Sequence, residues 1–168
     1  QAIAVGLAHA TERHKDDHRV VIMDSDGEDM PASIPDLLRL LDDPETDAVV
    51  AQRKARVETI RFKVFYQIYK LIFRILTGKS INFGNFMALK PHAVKRLAAM
   101  QEVNLHVPGA LIASRLRIGA SPQDRGGRYA GKSKMNFVSL VLHGFKGLMV
   151  FAENVFVRVG ITCALMAT

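Results

Sequence analysis

The chain has 168 residues, 49% of them hydrophobic, which excludes a disordered or low-complexity protein and leaves enough length for one domain with a sizeable core. Its single cysteine, Cys163, excludes a disulfide framework or a multi-cysteine zinc site and reads as an inert buried thiol. The net charge of +7 is divided unevenly: residues 1–50 hold 12 acids and 4 bases (net −8), the rest 4 acids and 19 bases (net +15), so the basic part expects an anionic partner such as phosphates, a membrane surface or nucleic acid.

Residues 1–10 carry the apolar face of a helix already under way and lack the basic start and apolar centre of a signal peptide, so the true N-terminus is expected further upstream. After a polar loop, VVIM at 20–23 is a short apolar run bounded by charge, which suits a buried strand; an acidic loop follows over 24–31. Ser33 with Asp36 resembles a capping box and Pro35 falls in the first turn, which predicts a helix over 34–43. DAVVAQ at 47–52 is a second buried strand.

Residues 57–77 form the longest periodic segment, stopped by Gly78. Lys63, Gln67, Lys70 and Arg74 share one face, and aromatic and aliphatic residues cover much of the rest. This is either a core helix with a solvated face or a helix lying at a membrane surface. Residues 82–89 read as strand or loop, 91–100 as a helix opened by Pro91, and 105–116 as another. Residues 119–134, rich in glycine and bases, read as a loop. Residues 136–150 and 152–168 read as paired apolar helices, in which Glu153 and Arg158 interrupt what would otherwise be the start of a membrane span. His143 reads as a structural helix histidine, and His106 as either structural or at the edge of a pocket. Strands alternating with helices predict an α/β domain with a mainly parallel sheet.

Chemistry gathers in the loop DSDGED, where Asp24, Asp26, Glu28 and Asp29 directly follow the first strand. Ligands of open parallel sheets bind outside the carboxyl ends of the strands, and acids at alternate positions can turn oxygens toward one hard cation. An EF-hand starting at Asp24 fails, because its sixth and twelfth positions hold Asp29 and Pro35. Residues 126–133, GGRYAGKS, satisfy the P-loop pattern G-x-x-x-x-G-K-[ST], so a P-loop nucleotidase is an alternative. Against it, residues 119–125 do not read as the apolar strand that such a loop must leave. A third reading is a non-catalytic module that binds anionic membranes. Nucleic acid fits poorly, since the bases are interleaved with long apolar helices rather than forming a polar face with stacking aromatics.

Four segments occur in a fixed order: the D-x-D loop, QRKAR at 52–56, Gly84-Asn85-Phe86, and RGGRYAGKSK at 125–134. Together they resemble the family 2 glycosyltransferases of the GT-A fold, in particular the polyprenyl-phosphate sugar transferases, over residues 1 to about 158. The resemblance implies a Rossmann-like α/β catalytic domain, here partial over 1–135 and lacking its base-binding first third, followed by juxtamembrane helices over 136–168. It implies Mg2+ or Mn2+ at Asp24, Asp26 and Glu28, with Asp24 and Asp26 also serving the diphosphate. Arg53 and Arg56 would face donor or acceptor phosphate, and Arg125, Arg128, Ser133 and Lys134 would fold over the pyrophosphate. It further implies a nucleotide-diphosphate sugar as donor, a membrane lipid phosphate or growing glycan as acceptor, inverting transfer, and a place at the cytoplasmic face of a membrane. Asn85 stands where relatives have Asp. It either favours a phosphate acceptor that is already ionised and needs little base, or leaves the base to Asp29, or marks lost activity.

Overall fold

The computed structural model describes residues 1–13, 18–53, 60–124, 126–130 and 137–167, with the backbone alone for 53, 60–65 and 137. The elements, in order, are α1 (Ala2–Arg13), β1 (Val20–Ile22), a 3-10 turn (Pro31–Ser33), α2 (Ile34–Leu41), β2 (Ala48–Arg53), α3 (Ile60–Thr77), β3 (Met87–Leu89) and α4 (Pro91–Ala98). A second 3-10 turn (Gln101–Asn104), α5 (Val107–Ala113), β4 (Ile118–Gln123), α6 (Phe137–Met149) and α7 (Ala152–Met166) complete the chain.

The strands form one sheet in the order β1-β3-β2-β4. β3 pairs antiparallel with both β1 and β2, and β2 pairs parallel with β4. β1, β2 and β4 therefore run in one direction, and β3 lies between two of them in reverse. Apolar runs such as AVVA can only be strands if both faces are covered. They are: Ala48 and Val50 of β2 face a core built with Leu7 of α1, Ala93, Val94 and Leu97 of α4 and Val107, Ala110 and Leu111 of α5. Val49 and Ala51 face Leu37 and Leu41 of α2 together with Phe86 and Ala88.

Three expectations change. Residues 118–123 (IGASPQ) are strand β4, not loop. Only Ser121 in it is buried, so its strand character comes from the ladder with β2 and not from its own side chains. Pro122 is tolerated because β4 is the outer strand of the sheet, where one side needs no ladder donor. Ser33 stands at the start of α2 but makes no side-chain cap, and Asp36 instead accepts from Arg39 Nη2 at 3.1 Å. Cys163 is exposed, since α7 buries none of its residues.

α3 leaves Ile68, Leu71, Ile72 and Ile75 exposed and buries Phe73 and Thr77. Phe73 meets Phe151 edge to face with ring centroids 5.8 Å apart, and Tyr69 donates to the Gly144 carbonyl at 3.1 Å. Gly78, at φ +70°, ends α3, and Arg158 of α7 donates to the Ile75 carbonyl at 3.1 Å, satisfying one of the free carbonyls of that helix end. Among the described residues no single helix is long and apolar enough to cross a membrane; Val138–Met149 and Ala152–Met166 reach that composition only as a pair, bent by 84°.

Candidate functional site

Because β1, β2 and β4 share a direction, the loops that leave them emerge at one end of the sheet, where the lead-in to the reversed β3 also arrives. A shallow cleft, open to solvent, lies there. It is lined by Asp24, Glu28 and Asp29 after β1, Ala51 and Gln52 of β2, Gly84, Asn85 and Phe86 before β3, and Gln123 and Asp124 at the end of β4. Asp24, Glu28, Asp29 and Asn85 are thus brought together as the sequence suggests, and Asp26 stands beside them in the same loop.

The acid loop is held by its own backbone. The Asp24 N–H donates to Asp29 Oδ2 at 2.9 Å, and the Glu28 N–H donates to Asp26 Oδ1 at 3.0 Å. Gly27 takes φ +90° at the apex, a conformation that side chains rarely allow.

Residues 126–130 lie across this loop. Gly126 N–H donates to the Glu28 carbonyl at 3.0 Å and Tyr129 N–H to the Asp26 carbonyl at 3.1 Å. The Tyr129 ring lies against Gly27, and Gly126 approaches the Gly27 carbonyl too closely for any side chain. Between those two anchors Arg128 Nη2 reaches Asp26 Oδ2 at 3.0 Å, and Arg128 Nε reaches Glu28 Oε1 at 3.2 Å. The side chains of Arg128, Asp26 and Glu28 are 30%, 33% and 17% exposed. One guanidinium therefore spans two carboxylates, leaving the trio with one negative charge in excess.

This arrangement bears on the expected metal. Carboxylate oxygens at Asp24, Asp26 and Glu28 have the right donor chemistry for Mg2+ or Mn2+. Their placement does not fit: among the described residues no three acidic, histidine or cysteine side chains converge on one point, and Asp26 and Glu28 turn to Arg128.

Of the other expected site residues, Arg53 ends β2 at the cleft end of the sheet; Arg56, Arg125, Ser133 and Lys134 lie outside the described residues. Gln123 and Asp124 were hidden from a reading of the sequence because the strand that delivers them was not legible. Gln52 had a signal, its place at the end of an apolar strand.

The opposite end of the sheet holds a different polar cluster. Asp47, just before β2, is buried and accepts from the Arg117 backbone N–H at 2.8 Å, Arg117 Nε at 3.1 Å and Arg117 Nη2 at 2.8 Å, with His92 Nε2 at 3.1 Å. The Arg117 hydrogen bonds outweigh the cost of burial and hold the Asp47 carboxyl well below the usual carboxylate range. It lies far from the cleft residues along the strands and serves the fold.

Residues 1–103 match the family described as Glycosyl transferase family 2, and the chain belongs to that family. The match takes in the acid loop, β2 and the Asn85 turn; β4 and the segment carrying Arg128 lie beyond it. Family 2 consists of enzymes that move a sugar from a nucleotide-sugar donor to an acceptor, and the mixed α/β sheet with flanking helices is of their GT-A class. Among solved structures, mannosyl-3-phosphoglycerate synthase from Rubrobacter xylanophilus is similar over 94% of this chain and 51% of that one, with 12% identity and a TM-score of 0.48. The chain thus spans about half the length of that enzyme. No curated protein matches the sequence.

Proposed function

We propose that this chain carries part of the catalytic domain of a hexosyl transferase, over residues 1–135, with juxtamembrane helices over 136–168. It transfers a sugar from a nucleotide-diphosphate donor to a membrane lipid phosphate or a growing glycan, with inversion. The observation that carries this reading is the basic segment seated on the acid loop at the mouth of the cleft. In a single displacement the leaving diphosphate gains negative charge as the sugar departs, and preorganised donors at that oxygen lower the barrier. Arg128 sits on the segment suited to that task, since a guanidinium fork can bind phosphate oxygens in pairs. Arg125, Ser133 and Lys134 are assigned to the same grip, and Arg53 and Arg56 to acceptor or donor phosphate. The Asn85 side chain can orient an acceptor but cannot take its proton. A phosphate acceptor, whose second pKa is about 6, needs no base at neutral pH; for a hydroxyl acceptor Asp29, in the same cleft, is the base. Dependence on Mg2+ or Mn2+ belongs to the same reading, but no step is assigned to the cation, because Asp26 and Glu28 face Arg128.

The test is transfer by the full-length protein of label from UDP- and GDP-hexoses to a short polyprenyl phosphate, with and without Mn2+. A lipid-linked product, reduced about 100-fold or more in Asp26→Asn, is expected. Absence of both transfer and donor binding, or full activity in Asp26→Asn, overturns the reading.

Membrane attachment at the cytoplasmic face is proposed on a separate observation. Exposed Ile68, Leu71, Ile72 and Ile75 on α3, Leu142, Phe145 and Met149 on α6, and Phe156 and Ile161 on α7 accompany Lys70, Arg74, Lys146 and Arg158. Apolar faces edged with bases suit helices lying on an anionic bilayer rather than crossing it. Sedimentation with anionic vesicles, weakened by salt and weaker with neutral vesicles, is the expected result; no binding to either rejects it.

A further inference from the structure

The wall at the end of β4 carries a side chain fixed from beneath. Gln123 Nε2 donates to Ser121 Oγ at 2.8 Å. The two residues alternate with Pro122 along β4 and so share one face of the strand. Ser121 is 4% exposed, while Gln123 is half-buried and lines the cleft beside Asp124. We infer that Gln123 reads a hydroxyl group of the donor's sugar and so helps to set which hexose is transferred, with Ser121 as the residue that positions its amide. The inference rests on the donor site proposed above and names a specificity residue within it.

The chemistry of this wall favours a hydroxyl over a phosphate. A primary amide has two N–H donors and a carbonyl with two lone pairs. The bond to Ser121 uses one donor and fixes the plane of the group. The second N–H and the carbonyl then suit a hydroxyl, which both donates and accepts. A neutral amide offers a phosphate no charge, and that task falls to Arg128. Reach agrees with this division. The chain passes from Gln123 to Gly126, whose N–H is anchored on the Glu28 carbonyl at 3.0 Å. Three residues span at most about 11 Å. A sugar whose diphosphate is gripped by Arg128 beside the acid loop therefore has its ring within reach of the Gln123 amide. Placement on a strand adds precision. Gln123 is held by the parallel ladder opposite Arg53 of β2, so it cannot relax around a wrong sugar as a loop residue would. A site built to bond a hydroxyl rejects a sugar that lacks it, because the amide is left without its partner. A bond that served the fold alone would affect every donor equally.

The experiment is calorimetric titration of the full-length protein with UDP- and GDP-hexoses and with their monodeoxy analogues, one for each ring hydroxyl. The wild type is expected to bind the analogue lacking one particular hydroxyl about 10-fold or more weakly than the complete sugar. Gln123→Ala is expected to bind the complete sugar weakly and to hold the two within about twofold of each other. Ser121→Ala, which frees the amide without removing it, is expected to keep part of the discrimination. Gln123→Met combined with Ser121→Ala removes both partners of the bond, so no hydroxyl is stranded and folding is kept. Its melting temperature checks this, and its discrimination is expected to match that of Gln123→Ala. A wild type that binds donor but treats all analogues alike overturns the inference and leaves the donor site standing. The same holds if discrimination is unchanged in Gln123→Ala, or if affinity falls there by one factor for every donor. A wild type that binds none of these donors removes the site and the inference together.

Discussion

Asp47 is a carboxylate that water hardly reaches, and Arg117 and His92 keep it ionised. Asp47→Asn leaves one acceptor oxygen for the Arg117 backbone N–H and side chain in place of two, while Arg117 keeps Glu45 and the Pro44 carbonyl, so it is expected to destabilise the fold by about 1–3 kcal/mol in urea titrations. Its folded pKa is lowered, so its contribution is complete above the unfolded value of about 4 and is lost as pH falls further. A second group acts in a higher window. His106 Nδ1 accepts from the Gly109 N–H at 2.9 Å, capping α5, and the ring lies 4.7 Å from that of His143. Burial, assisted by His143, pushes the His106 pKa down to about 4. Burial, with the charge of Lys146, lowers His143 as well. A lowered histidine leaves the folded state with fewer protons than the unfolded chain between about pH 6.5 and 4, so stability should fall across that interval, by on the order of 3 kcal/mol for His106. His106→Asn, which keeps a capping acceptor without the titration, should flatten the urea midpoint over the same range. His106 was legible as a structural histidine, but Asp47 did not announce its role: it stands at the charged start of a strand, and its partner lies 70 positions away.

At the scale of elements, the contact between the Arg128 segment and the acid loop turns on glycine. A Cβ at Gly126 would strike the Gly27 carbonyl, which is backbone and cannot swing aside, whereas a Cβ at Gly127 meets nothing within 4 Å. Gly126→Ala is therefore expected to lift the segment and weaken pyrophosphate or donor binding about tenfold, with Gly127→Ala near wild type and both melting normally; calorimetric titration checks this. On α3, Leu71→Glu with Ile75→Glu replaces exposed residues and should reduce sedimentation with anionic vesicles several-fold without loss of folding. The acid loop was legible because four carboxylates follow an apolar run directly. β4 was not, because IGASPQ has one large aliphatic residue and owes its strand to pairing with β2 across 70 positions. The same distance effect hid the meeting of Arg128 with Glu28, 100 residues apart. The aromatic helix α3 was legible as a helix, while its exposure depends on what packs against it.

Across the whole molecule, the sheet separates two tasks. One end carries the cleft and its charged segment; the other carries the Asp47–Arg117 cluster that fastens β2 to β4. Asp47→Asn, assayed at neutral pH well below its melting temperature, should therefore lose stability while keeping wild-type nucleotide-sugar binding, and a parallel loss of both would contradict that separation. The reversed strand β3 has a further effect. It places the Asn85 turn between the loops of β1 and β2, so the cleft takes its walls from residues 24 to 124. During synthesis the walls arrive in steps: β1, β3 and β2 can pair once Leu89 has emerged, and the wall of Gln123 and Asp124 comes last, with β4. Until β4 clears the ribosome, the apolar edge of β2 stays open on one side, the stage at which such a chain most needs a chaperone.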